Sequence, residues 1–257
     1  MARIGRRDRE RRVFFLAWHA WFLCFSGTTL RNLALAAYEL GKVTEAEKTL
    51  KRILDDPASD TSAVQDAQSS LAMLAFLRER NDPAKALTDA TEILSTDPGH
   101  VPAMLVQAVI QADRGEADAA VAIYEEILER LPDFALAQKG LASVYALMPG
   151  KTDAAHKLAS QARTVLTEDI ELIWTFAELN KEKDPAYTRQ LLQEIVRNKA
   201  PETARELYFF ARAQQSLGQV LEANSYLNRA LKAGLQGSLA AEAKQALGES
   251  RASVPAH

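Results

Sequence analysis

The chain repeats itself. Glu92-Ile93-Leu94 recurs 34 residues later as Glu126-Ile127-Leu128, and after twice that distance as Glu194-Ile195-Val196. Ala86, Ala120 and Ala154 keep the same spacing, as do Pro98 and Pro132. A fixed period of this length marks an array in which each unit buries its apolar face on the next. Within a period the pattern is helical. Ala120, Ile123, Tyr124, Ile127, Leu128 and Leu131 fall at steps of three and four residues, one face of a helix. Ala103 to Ala112 is a second apolar-rich helix, and Asp113-Arg114-Gly115-Glu116 between them is a turn whose Gly can take positive φ. Pro132 follows, where a helix can stop. The predicted unit is helix, turn, helix, Pro. The rest of the composition agrees. Of 257 residues 47% are hydrophobic and 25% charged, which excludes a disordered or collagen-like chain and a polytopic membrane protein.

The segment Val101 to Pro132 resembles a tetratricopeptide repeat. Ala108, Gly115, Ala120, Tyr124, Ile127 and Pro132 stand at that family's small, turn, small, bulky, aliphatic and helix-ending positions. The last unit supplies Ala211, Gly218, Ala223, Leu227 and Ala230, and the first Ala34, Gly41, Ala46, Leu50 and Ile53. The small residues have a physical reason, because the two helices of a pair cross closely there. Six units begin near Ser26, Ala67, Val101, Ala135, Asp169 and Ala204 and together cover residues 28–234. Between the first two, the extra residues Ser59 to Val64 read as a longer connection. In the second unit Asn81-Asp82-Pro83 replaces the turn Gly, with Asn able to take positive φ. The fifth unit has Phe176 at a small position and Lys183-Asp184-Pro185 in its turn. The resemblance implies an all-α, right-handed superhelix of about six helix pairs. Ser238 to Leu247, within 235–247, fits a capping helix with Ser238 as N-cap and Leu239, Ala243, Ala246 and Leu247 facing the last repeat. Residues 248–257 read as a flexible tail.

The N-terminus is unlike the rest. Residues 1–12 carry six Arg against Asp8 and Glu10, whereas the whole chain has a formal net charge of −3. Residues 13–30 are free of Asp, Glu, Lys and Arg and hold Phe14, Phe15, Trp18, Trp21, Phe22 and Phe25. As a helix this segment would span about 27 Å, just short of a hydrocarbon core of about 30 Å. Three readings stay open: a membrane anchor with its basic flank on the cytoplasmic side, a cleaved signal peptide, and an extra helix packed on the first repeat. Under the first two the chain is membrane-anchored or exported, under the third cytoplasmic. Arg11-Arg12-Val13-Phe14-Phe15 resembles a twin-arginine export motif without its following Lys. Cys24 follows Leu23 where a lipid-attachment site would need a small residue.

Chemistry-bearing motifs are scarce. Gly150-Lys151-Thr152 resembles the end of a phosphate-binding loop, but Tyr145 stands where the loop's first Gly belongs and no strand precedes it, so it reads as a turn. His19, His100, His156 and His257 show no metal-ligand spacing, and the single Cys excludes a disulfide framework. His100 reads as a solvated turn residue. No nucleophile elbow, zinc-protease or dinucleotide motif is present, so the chain reads as no enzyme, with no cofactor, no metal and no nucleic-acid partner.

The resemblance also implies which residues line the concave face. These are Arg31 and Tyr38 of the first unit, Arg78 of the second, Leu105 and Val109 of the third, and Leu136 and Lys139 of the fourth. Ile173 comes from the fifth, and Arg205, Tyr208 and Arg212 from the sixth. They lie on one stripe of each first helix. The third unit offers no polar residue on that stripe, which argues against the family's clamp for a C-terminal carboxylate. Two placements are open to Leu105, Val109, Leu136 and Ile173: a groove for an apolar peptide or helix, or packing against neighbouring units in a tight superhelix. The functional expectation is a non-catalytic protein-interaction scaffold tethered at a bacterial-type membrane. The alternatives are a self-assembling structural subunit and an accessory domain of an enzyme system. Identity of the partner and oligomeric state stay open.

Overall fold

The computed structural model describes residues 30, 33–34, 37–38, 42–57, 59, 61–198 and 200–252. The segments 1–12 and 13–29, with the anchor, export and lipid-attachment readings that rest on them, lie outside the described residues, as do Arg31 and 253–257. Among the described residues there are twelve helices. They are α1 Val43–Asp55, α2 Thr61–Glu79, α3 Pro83–Thr96, α4 Val101–Asp113, α5 Ala117–Arg130, α6 Ala135–Ala146, α7 Thr152–Arg163, α8 Ile170–Asn180, α9 Pro185–Asn198, α10 Ala204–Ser216, α11 Val220–Lys232 and α12 Gly237–Ala252. Leu30, Leu33, Ala34, Ala37 and Tyr38 are also helical and precede α1. No helix among the described residues is long and apolar enough to cross a membrane.

The elements form sequential hairpins. The first helices α2, α4, α6, α8 and α10 each pack on their own second helix, and α2, α4, α6 and α8 also on the first helix of the next unit. Second helices pack forward onto the next first helix. The molecule is therefore a superhelix whose inner layer is made of first helices. The small residues sit where the crossings are closest: Ala46, Ala108, Ala120, Ala211 and Ala223 are at most 1% exposed. Ile127 and Ile195 of the recurring triplet are buried, and Ile93 packs half-buried against the same core. Gly115 and Gly218, at the turn position of the third and sixth units, close their hairpins with φ of +79° and +84°, where a Cβ would be strained.

Four expectations need correction. Thr61 to Val64 are not a connection but the opening of α2, which runs 19 residues. Nothing in that stretch breaks a helix, and Ala63 and Ala67 bury on one face. In the second hairpin the positive φ falls on Arg80 (55°) and Asp82 (41°), not on Asn81. Asp82 is the N-cap of α3 and accepts from the Lys85 N–H at 3.1 Å, a local bond that stabilises the left-handed backbone. Ala154 is exposed although it keeps the sequence period, and Ala155 takes the buried place at 0% exposure. The five-residue turn 147–151, against three residues at 114–116, outweighs the shorter α6 and moves the register by one. Finally, α12 starts at Gly237 and continues to Ala252, so residues 248–252 of the expected tail are helical. Ala243, Ala246, Leu239 and Leu247 face the core as expected.

Phe176, the misfit of the fifth unit, is accommodated by rings. It lies 4.8 Å from the His156 imidazole and 6.2 Å, edge-on, from Tyr187. The sixth unit begins with a full capping box. The Thr203 hydroxyl accepts from the Glu206 N–H at 3.2 Å, and the Glu206 carboxylate accepts from the Thr203 N–H at 3.1 Å. Thr203→Ala is expected to cost about 1 kcal/mol, read as a lower urea midpoint at unchanged slope.

Candidate partner-binding face

Of the two placements the sequence left open for the apolar stripe, most of it takes the second, packing in a tight superhelix. Leu105 and Ile173 are each 2% exposed and Val109 8%, so these three are core residues and do not line an open groove. Leu136 alone of the apolar stripe is half-buried. The reason is curvature. The end of a first helix meets the start of the first helix three units on. Tyr38 of the first unit packs its ring 5.5 Å from Phe134, which precedes α6. Arg80, after α2, feels the field of Glu171 in the first turn of α8. Asp113, the last residue of α4, pairs with Arg205 in the first turn of α10 at 3.3 Å.

The polar residues of the stripe join a network there. The Lys139 ammonium lies 2.8 Å from Asp169 and 3.0 Å from Glu171. Arg205 pairs with Glu171 as well as Asp113, and Arg80 reaches Asp113 at 3.8 Å. Lys139, Glu171 and Arg205 keep between 16% and 19% of their side-chain exposure, whereas Asp113 keeps 41%. Burial alone would raise the Glu171 carboxyl. Arg205, Lys139 and Arg80 outweigh it and hold Glu171 well below the usual carboxylate range. Burial likewise opposes charge on Arg205 and Lys139, but their carboxylate partners win and both are raised. Arg80 is the under-compensated member. Burial and the neighbouring Arg205 lower it, and its Nε and Nη1 have no hydrogen-bond acceptor.

The remaining predicted residues are scattered. Arg78 is exposed and pairs with Glu47 at 3.2 Å and Glu79 at 3.0 Å. Tyr38 is 2% exposed with an unpartnered hydroxyl. Tyr208 is equally buried and its hydroxyl donates to Glu242 of the capping helix at 2.6 Å. Arg212 donates to that hydroxyl at 3.2 Å and lies over the Trp174 ring at 5.7 Å. Arg212 also lies 3.7 Å from the Glu242 carboxylate, and of the stripe's residues Arg212 and Leu136 are half-buried and Arg78 is exposed. Sequence reasoning missed the opposite feature. Leu147 is 88% exposed, Leu221 82%, Val220 42% and Tyr187 38%. All four lie in or beside the hairpin turns of the last three units, along one edge of the array. An apolar residue next to a hairpin turn was the signal.

His100 is not a solvated turn residue. It is the N-cap of α4, and its Nδ1 accepts from the Ala103 N–H at 3.2 Å. His156 Nε2 stands 3.3 Å from the Asn180 amide oxygen, between α7 and α8. Gly150-Lys151-Thr152 is the end of a hairpin turn, with α7 starting at Thr152. Among the described residues no three His, Cys, Asp or Glu side chains are grouped to hold a metal ion.

Comparison with known proteins agrees with this architecture. Tetratricopeptide repeat family models match residues 29–59 and 77–144. A tetratricopeptide repeat protein from Parabacteroides merdae superposes with a TM-score of 0.50 at 17% identity, covering 95% of this chain and 93% of that one. A thermophilic repeat protein of the same kind from Thermus thermophilus gives a TM-score of 0.45 at 15% identity, covering 86% of this chain and 99% of that one. No curated protein matches the sequence. Repeat period, stacked hairpins and family models converge: this chain is a tetratricopeptide repeat protein, an all-α superhelix of a kind that typically binds protein partners.

Proposed function

We propose that this chain is a non-catalytic scaffold that docks a peptide or short helix of a protein partner against the inner face of its superhelix. What supports the reading is the continuous layer of first helices, on whose stripe Arg212 and Leu136 stay half-buried and Arg78 exposed. An Arg guanidinium set over aromatic rings is a frequent anchor at protein interfaces. The basic residues 1–12 and apolar residues 13–30 support a tether that holds this scaffold at a membrane, as an anchor or after export. A second reading, self-assembly, is favoured by the exposed Leu147, Tyr187, Val220 and Leu221 on the turn edge.

One experiment separates them. A photo-crosslinking residue is placed singly at Arg212, at Leu221 and at Ala122, an exposed position of α5, in the full chain expressed in its own cell. The scaffold reading expects a distinct heterologous adduct at position 212 and none at 122. Self-assembly expects an adduct of the chain with itself at 221. Adducts equal at all three positions would remove both. Fractionation of the same cells tests the tether, which is lost if the full chain is found free of membranes.

A further inference from the structure

We propose that the ion pairs linking Arg80, Asp113, Arg205, Glu171 and Lys139 form a clasp that holds the superhelix closed over its inner face and opens at Asp113. The clasp threads the second, third, sixth, fifth and fourth units in that order. Asp113 to Arg205 spans 92 residues and joins the third unit to the sixth. Its strength is uneven. Lys139 holds Asp169 at 2.8 Å and Glu171 at 3.0 Å, in surroundings where solvent screens little. Asp113 is shared between two guanidiniums at 3.3 and 3.8 Å and is 41% exposed. The link that closes the superhelix is therefore its loosest and wettest. Closure also leaves polar groups unsatisfied. Nε and Nη1 of Arg80 and Nε of Arg205 are buried without acceptors, which favours a rearrangement that frees them. Few links, a solvent-reached end and unsatisfied donors make a two-state element. Its purpose, admission of the partner to the inner face, rests on the docking reading, but its test does not.

Spin labels on the exposed positions Arg114 and Glu202, with Cys24 replaced by Ala, flank the closing link in the full chain. Pulsed dipolar spectroscopy should give one short, narrow distance at low salt. Arg205→Ala is expected to lengthen and broaden it by about 5 Å, of the order of one helical turn, with helicity unchanged by circular dichroism. About 1 M salt, with a Debye length near 3 Å, should lengthen the wild-type distance and leave that of Arg205→Ala where it was. Asp113→Asn removes only the exposed charge and decides the matter if Arg205→Ala does not fold. A distance and width unchanged in Asp113→Asn at both salt concentrations would overturn the clasp, whatever the crosslinking shows about partners.

Discussion

Gly140→Val is expected to destabilise the chain by about 3 kcal/mol, the upper end of what overpacking a core costs. Gly140 lies in α6 opposite Tyr124 of α5. A Cβ built on it would stand 2.3 Å from Cζ, 2.4 Å from Cε1 and 2.5 Å from the hydroxyl oxygen of that Tyr. Tyr124 is 2% exposed, so its ring cannot swing away into solvent. The helices must part instead, and with them the joint between the third and fourth units. Gly140→Ala meets the same ring with one atom. Its loss of about 1–3 kcal/mol from the clash is offset by about 1 kcal/mol of helix propensity. The ring itself supplies the control. In a Tyr124→Leu background the clashing Cζ and hydroxyl are gone, and Gly140→Ala should become stabilising by about 1 kcal/mol. Urea midpoints of the four chains in that cycle check this. Additive losses would show that the contact is not what reserves position 140 for Gly.

Gly140 also shows what could be read from the residues and what could not. A Gly in the middle of a helical pattern costs stability and signals a close approach, yet the repeat pattern names Tyr124 and not the residue that faces it. Local rules served well where contacts are local. The hairpins, their turn glycines and the buried alanines follow from periodicity and backbone sterics. The shifts at Thr61 and Ala154 came from a helix–loop ambiguity and a longer turn, both one-turn effects. The inner face stayed open in the sequence for another reason. Whether Leu105, Val109 and Ile173 line a groove depends on the small rotation between successive units, which accumulates and is not carried by any one repeat. A trace of it was present. Arg80 and Asp113 end their first helices with charges opposite to those of Glu171 and Arg205, which open first helices three units on. Only the folded curvature says that those ends meet.

The second large effect lies at that meeting. Glu171→Gln is expected to cost about 2 kcal/mol at pH 7. Removing one partner of a buried pair typically costs 3–5 kcal/mol, reduced here because Glu171 keeps 16% exposure and Gln keeps an acceptor. Arg205 would retain only the exposed Asp113, while Lys139 would retain Asp169. The pH dependence separates charge from shape. The folded Glu171 carboxyl sits well below the unfolded value of about 4.3, so its contribution is full above that value. It fades as the pH falls towards the folded value, where both states bind the proton. The difference between wild type and Glu171→Gln should be flat from about pH 8 to 5 and shrink steadily below. Glu126→Gln, which breaks an exposed pair with Arg130 one turn away, should cost no more than about 0.5 kcal/mol. A Glu171→Gln loss of full size that persisted to pH 2 would place its cause in packing rather than in the ion pairs, and would leave the superhelix closed by its apolar contacts alone.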